Sequence, residues 1–182
     1  MYKLFFIIFI IPFFNSCSIA KIAKYYVNSD SSRGKLIGPV YSSKDTVYEI
    51  GILPATWERI GIKGGDLAFW NEGFDSTITV NSTCDKNKIK YNLNALSSAL
   101  VIGIGGKEII KNDEVTVNGE NALQRVYTGI LSGSPIKLST VVFKKGSCIY
   151  DFSYSSPPDN FEKGFDEFNN FISQFKVISG SI

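Results

Sequence analysis

Any chemistry in this 182-residue chain must work without histidine, which is absent. Histidine is the commonest general base near neutral pH and the commonest metal ligand. A Ser-His-Asp or Cys-His site is therefore excluded, and three cysteines are too few for the usual zinc sites. Carboxylates remain, and Glu49, Asp66 and Asp151 lie nearest the aromatic strand-like segments. Asp151 should alternate to the face opposite Tyr150 and Phe152. There it is either a solvated charge or, if covered, needs a partner such as Arg125. No paired-carboxylate motif joins the three acids, so a histidine-free hydrolase is the weakest reading of the chain. Gly103-Ile104-Gly105-Gly106 lacks the lysine of a P-loop and the glycine spacing of a dinucleotide site, and reads as a turn. Gly129-Ile130-Leu131-Ser132-Gly133 does not match Gly-x-Ser-x-Gly. The sequence predicts no catalytic residue, no metal site and no cofactor: this is not an enzyme but a binding protein.

The cysteines carry more information. Met1-Tyr2-Lys3, an apolar block over residues 4–14, and Asn15-Ser16-Cys17 form the n-region, h-region and cleavage site of a signal peptide. The apolar block is too short to span a bilayer, which takes roughly 20 residues. With Cys17 as the first residue after cleavage, the segment resembles a bacterial lipoprotein signal, although Phe14 stands where leucine is usual. That resemblance implies a diacylglycerol on the Cys17 thiol, an acylated amino group, and a membrane lipid anchor facing the periplasm. Ser18 stands where aspartate retains such proteins at the inner membrane, so the resemblance implies the outer membrane. Asn81-Ser82-Thr83 fits a glycosylation sequon, which a bacterial lipoprotein would not normally use. Cys84 and Cys148 are read either as an envelope disulfide or as two buried thiols. A bridge would close a loop of about 65 residues, worth ~4 kcal/mol by chain entropy.

The formal charge is +2, and loss of residues 1–16 removes only Lys3. Such a balance lacks the basic surplus of a nucleic-acid binder. Residues 17–44 read as the lipidated N-terminus and a flexible tether, because Asn28-Ser29-Asp30-Ser31-Ser32-Arg33-Gly34 is polar and aperiodic. Leu36, Ile37, Val40 and Tyr41 offer the alternative that the tether's end packs on the domain. One domain, residues 45–182, then follows.

Strand patterns cover residues 47–52, 57–62, 66–70 and 76–83, where Ile78 and Val80 alternate with Thr77 and Thr79. A short helix should start after Asn92, with Leu93, Leu96 and Leu100 on its buried side. Further strands are expected at 108–110, 114–117, 123–131 and 136–144, with Asn118-Gly119 as a hairpin turn. Cys148, Tyr150, Phe152 and Tyr154 share one face of a central strand. A final helix should be capped by Asp159 with Glu162 as its capping-box partner, and Phe161, Phe165, Phe168, Ile172 and Phe175 form its apolar stripe. The fold class is α+β, an antiparallel sheet of about six to eight strands flanked by helices. Trp57 and Trp70 are either core rings or partner-binding anchors.

The order Tyr48, Leu53-Pro54, Trp57, then Asn118-Gly119, Ala122, Arg125, then Cys148-Ile149-Tyr150-Asp151-Phe152, then a Phe-rich helix ending Gln174-Phe175, resembles the PsbP-like (PsbP/Mog-type) fold, over roughly residues 45–178. Within that group the particular resemblance is to small uncharacterised envelope lipoproteins. It implies a helix-flanked antiparallel sheet and a scaffold or adaptor role as an accessory subunit of an envelope complex, with an envelope protein as partner. A carrier of a small apolar ligand or lipid on the aromatic face of the sheet is the alternative.

Overall fold

Alternating apolar residues decide the centre of this fold. On strand β10 (Cys148–Ser156), Cys148, Tyr150, Phe152 and Tyr154 are each 0% exposed, so one face of the strand is wholly buried. The computed structural model describes residues 33–180. Cys17, the signal segment and most of the tether lie outside them.

Seven strands form the main sheet, in the order β4-β5-β6-β10-β9-β8-β7, and every ladder is antiparallel. They are β4 (Glu58–Ile60), β5 (Leu67–Asn71), β6 (Ser76–Thr83), β7 (Gly105–Val117), β8 (Glu120–Leu131), β9 (Ser134–Lys145) and β10. β7 and β8 turn at Asn118-Gly119, whose φ values of 50° and 78° are those of a tight hairpin turn. Four further strands form a second antiparallel sheet, β1-β2-β3-β11. Its members are β1 (Gly34–Ile37), β2 (Val40–Ser43), β3 (Thr46–Glu49) and β11 (Lys176–Gly180).

One face of the main sheet packs on helix α2 (Phe161–Ser173) and on the small sheet together. Phe175 binds the three layers. Its ring lies 4.9 Å from Phe152, 5.0 Å from Tyr48 and 5.7 Å from Tyr150. Buried rings contribute mainly through the area they remove from water, with tilted and edge contacts adding about 0.5–1.5 kcal/mol per pair. Gly164 lets α2 approach: a Cβ there would stand 2.8 Å from the Tyr154 hydroxyl. The opposite face carries helix α1 (Leu93–Ala99) over a smaller cluster of Val101, Ile104, Tyr127, Ile136 and Leu138.

Three local expectations are corrected. Residues 34–43 are not tether but strands β1 and β2. Tyr41 decides this, since its buried ring stacks on Tyr48 at 4.8 Å and fixes β2 beside β3. Asp159 does not cap α2. After Pro157 the chain makes a 3-10 turn, Pro158–Asn160, and the helix starts at Phe161 without a side-chain cap, while Glu162 pairs with Lys137 at 2.6 Å. On α1, Leu93 and Leu96 are only half-buried and Leu100 is exposed. The buried residue is Ser97, bonded to Tyr127 Oη at 3.0 Å and Thr140 Oγ1 at 3.2 Å, because this part of the sheet offers hydroxyls to the helix.

Phe175→Ala should lower stability by about 3–5 kcal/mol, read as a fall in denaturant midpoint, because it empties the contact among three layers.

Candidate functional site

The aromatic face has no room for a ligand. Its rings interlock with α2 and the small sheet, and neither of the two recesses described below lies among them. The apolar-ligand carrier on that face is therefore corrected: packing at 0% exposure leaves no space there.

The space lies on the other side of the same strands. A groove of about 490 Å³ runs between the 60–65 loop and the chain that follows α1. Thr77 and Thr79 of β6 and Ser153 and Ser155 of β10 give it a polar floor, in which Thr79 Oγ1 and Ser153 Oγ are 2.6 Å apart. Ile60, Ile62, Leu100, Ile104 and Leu131 give it aliphatic walls. Gly65 sits close at one end, where a Cβ would meet Ile62 Cδ1 at 2.7 Å and Asn81 Oδ1 at 2.8 Å, so a larger residue would shift both side chains. Lys63 is the single ionisable residue among those lining the groove. A volume of this size suits ligands and short peptide segments, typically ~300–1,000 Å³.

Beside the groove lies Asp66, a carboxylate only 1% exposed. Tyr41 Oη donates to Oδ1 at 3.1 Å, Tyr48 Oη donates to Oδ2 at 3.2 Å, Ser82 Oγ also donates to Oδ2, and Arg33 Nε lies 3.4 Å from Oδ1. Both oxygens are thus satisfied by donors. Burial, and then the charge of Asp66, push the Tyr41 and Tyr48 phenols up, so both keep their protons and act as donors. The cluster borders a smaller recess of about 220 Å³ with Asp45, Asp85 and Cys84 on its rim. No group of three or more potential ligands suited to a metal ion occurs among the described residues.

Asn81 connects this cluster to Asp151. Its Oδ1 accepts from the Asp66 backbone N–H at 3.3 Å, and its Nδ2 donates to Asp151 Oδ1 at 3.0 Å. Asn81 and Ser82, two members of the sequon, are therefore internal hydrogen-bonding residues. Desolvation pushes Asp151 up to about 6, the Asn81 bond pulling it back, Asp66 raising it further, and Arg33 and Lys88 lowering it. Arg125 is not its partner. That guanidinium instead donates to Asn112 Oδ1 at 2.5 Å and to Asn94.

Other candidate residues are dispersed. Glu49 pairs by backbone register with Lys176 and Val40 in the small sheet. Cys84 and Cys148 are joined in a disulfide between the end of β6 and the start of β10, with Cα atoms 4.0 Å apart. Trp57 is a core ring, 7% exposed, whose Nε1 donates to Glu167 Oε2 at 2.6 Å, so it is corrected as a surface anchor. Its place is fixed by the edge of Tyr154, 6.3 Å away. Trp70 is half-buried on β5 opposite Thr77. Sequence reading missed Tyr41, Ser82, Asn81 and Arg33 as partners of Asp66. Their separations of 15 to 33 residues leave no local signature. The one usable signal was an acid placed after Gly64-Gly65 at the head of an apolar strand.

This arrangement can be compared with known folds. No protein-family profile matches the chain, and no curated relative does. Solved structures do. LpqN of Mycobacterium tuberculosis, described as involved in cell envelope biogenesis, is similar with a TM-score of 0.53 and 13% identity, over 86% of this chain and 96% of that one. The cyanobacterial PsbP protein CyanoP of Synechocystis sp. PCC 6803 is similar with a TM-score of 0.51 and 17% identity, over 81% and 97%. The fold is PsbP-like. This PsbP-like domain has one main antiparallel sheet with helices on both faces, the α+β arrangement expected from its sequence.

Asp66→Ala should cost about 3–5 kcal/mol in denaturant unfolding by leaving three buried hydroxyls and a guanidinium without their acceptor. Asp66→Asn, which keeps one carbonyl oxygen, should cost less. Asp151 is held above its unfolded value. Its protonated form therefore favours folding fully below about pH 4, and that contribution is lost as pH rises to about 6. Asp151→Asn should remove this fall, about 1–3 kcal/mol across that window, in paired stability–pH curves.

Proposed function

We propose that this protein is a non-catalytic binding subunit of the bacterial cell envelope, lipid-anchored through Cys17 and offering its groove to a segment of an envelope protein. The observation that carries this reading is the groove itself. It combines aliphatic walls with a hydroxyl floor on a rigid sheet, and Lys63 is the one ionisable residue in its lining. Such a surface suits recognition of side chains and backbone. The envelope assignment is supported by the lipoprotein-like segment ending at Cys17, and by a fold shared with LpqN, whose description places it in cell envelope biogenesis. The Cys84–Cys148 disulfide is compatible with an oxidising compartment. No described helix is long and apolar enough to cross a membrane. Ser18 after that cysteine favours the outer membrane where the cell has one. Trp70, half-buried on β5, is the remaining tryptophan for the margin of a partner contact.

A photo-crosslinking residue at Ile62, on the groove wall, should trap one discrete protein in intact cells. The same probe at exposed Glu72 should not. Equal, scattered adducts from both positions would remove the groove as a partner site. Protein from those cells should begin at Cys17 and carry lipid mass, and an unlipidated N-terminus would remove the anchor.

A further inference from the structure

The chain leaves β6 and must reach β7, with β10, β9 and β8 lying between them in the sheet. Residues 84–104 make that crossing over one face. Lys144 Nζ donates to Ile89 O at 2.7 Å, and Ser97 is bonded to Thr140 Oγ1 at 3.2 Å. Thr140 and Lys144 alternate onto the same side of β9. The 3-10 turn Lys88–Lys90 and helix α1 therefore both cover the face on which the groove opens.

That crossing is one-sided in charge. From Lys86 to Lys107 the sequence has no Asp or Glu, and it carries Lys86, Lys88, Lys90 and Lys107, all exposed. Tyr91 (59% exposed), Leu100 (38%) and Ile102 (76%) stand bare in the same stretch. The exposed acids that strand alternation brings to this face, Glu58 and Glu114, are on the edge strands β4 and β7. The opposite face is the reverse. Helix α2 carries Glu162, Asp166 and Glu167 against the single base Lys163. A formal charge of +2 thus covers two faces of opposite sign.

Clustered lysines beside bare apolar side chains fit an anionic lipid surface. The ammonium groups meet phosphates, a tyrosine ring sits at headgroup level, and aliphatic tips enter the acyl boundary. Each lysine near such a surface strengthens association about fivefold, so Lys86, Lys88 and Lys90 together give about a hundredfold. A chain anchored at Cys17 would keep this face within reach of a bilayer, and the acidic α2 side would turn away from it.

We propose that the α1 face rests on the anionic surface of the membrane, so that the groove opens beside the lipid headgroups and takes a juxtamembrane segment of its partner. This deepens the reading of the groove and rests on it for the partner, but the lipid contact needs no partner.

The test uses the full protein, purified in detergent and reconstituted in vesicles of phosphatidylglycerol and phosphatidylcholine, with an environment-sensitive fluorescent amino acid in place of Ile102. Nitroxide-labelled lipid should quench it strongly, and should not quench the same fluorophore in place of Asp166. The Ile102 quenching should be lost in pure phosphatidylcholine and at high salt. Lys86→Gln/Lys88→Gln/Lys90→Gln should lose it too, with an unchanged denaturant midpoint, because all three side chains are exposed. Equal quenching at the two positions, or quenching at Ile102 that ignores lipid charge, would overturn the proposal. A cellular crosslink from position 102 to an acidic protein, with no quenching in the anionic vesicles, would overturn it in favour of a protein contact. An unlipidated chain that keeps the charge-dependent quenching would uphold the face and remove the anchor alone. Loss of the cellular crosslink at Ile62 with the quenching intact would uphold the lipid contact and count against the partner alone.

Discussion

Everything in this molecule hangs from one buried carboxylate. Asp66 sits where the small sheet meets the main one, and it takes hydrogen bonds from Tyr41 and Tyr48 of the first and Ser82 of the second. A desolvated charge is tolerable only with such a set of donors, and each donor hydroxyl would itself be costly to bury without an acceptor. The cluster is therefore mutually dependent, which sets the relative position of two sheets that share no ladder. Thr46 repeats the device nearby, bonded to Tyr150 Oη at 2.8 Å and to Ser179 O at 3.0 Å.

The two central strands divide the labour between stability and recognition. On β6 and β10, one set of alternate residues is Ile78, Val80, Phe152 and Tyr154, and the other is Thr77, Thr79, Ser153 and Ser155. The first set packs so tightly that it excludes ligands. The second remains hydrogen-bonded, shaped and partly open. A side-chain period of two thus places a rigid core directly beneath a binding floor. The groove is firm because its floor is the back of two strands whose other face is wholly buried.

Legibility in the sequence followed the range of the interactions. The β10 stripe, the Asn118-Gly119 turn and the Phe-rich helix are local patterns, and all three stand where they were expected. Strand β6 was legible because Ile78 and Val80 alternate strictly with threonines. Strands β1 and β2 were not legible as strands, because their pairing depends on Tyr41 finding Tyr48 and Asp66, while the polar residues just before them suggest a tether. The α2 cap failed for another reason: Pro158 imposes a 3-10 turn that moves the helix start beyond Asp159. The groove was invisible because its walls come from the 60–65 loop, the end of α1, and β8, segments that no sequence period relates.

The small sheet joins the beginning of the domain to its end. Strand β11, residues 176–180, pairs with β3 at residues 46–49, across most of the chain. Contacts of such long range form late, because the loop they close must be ordered first. A chain that lacks residues 175–180 stays open along that edge, and no ring seats among Tyr48, Phe152 and Tyr150. Closure is therefore a test of completeness: a domain cut short before residue 175 loses a whole edge and the central ring of its core together.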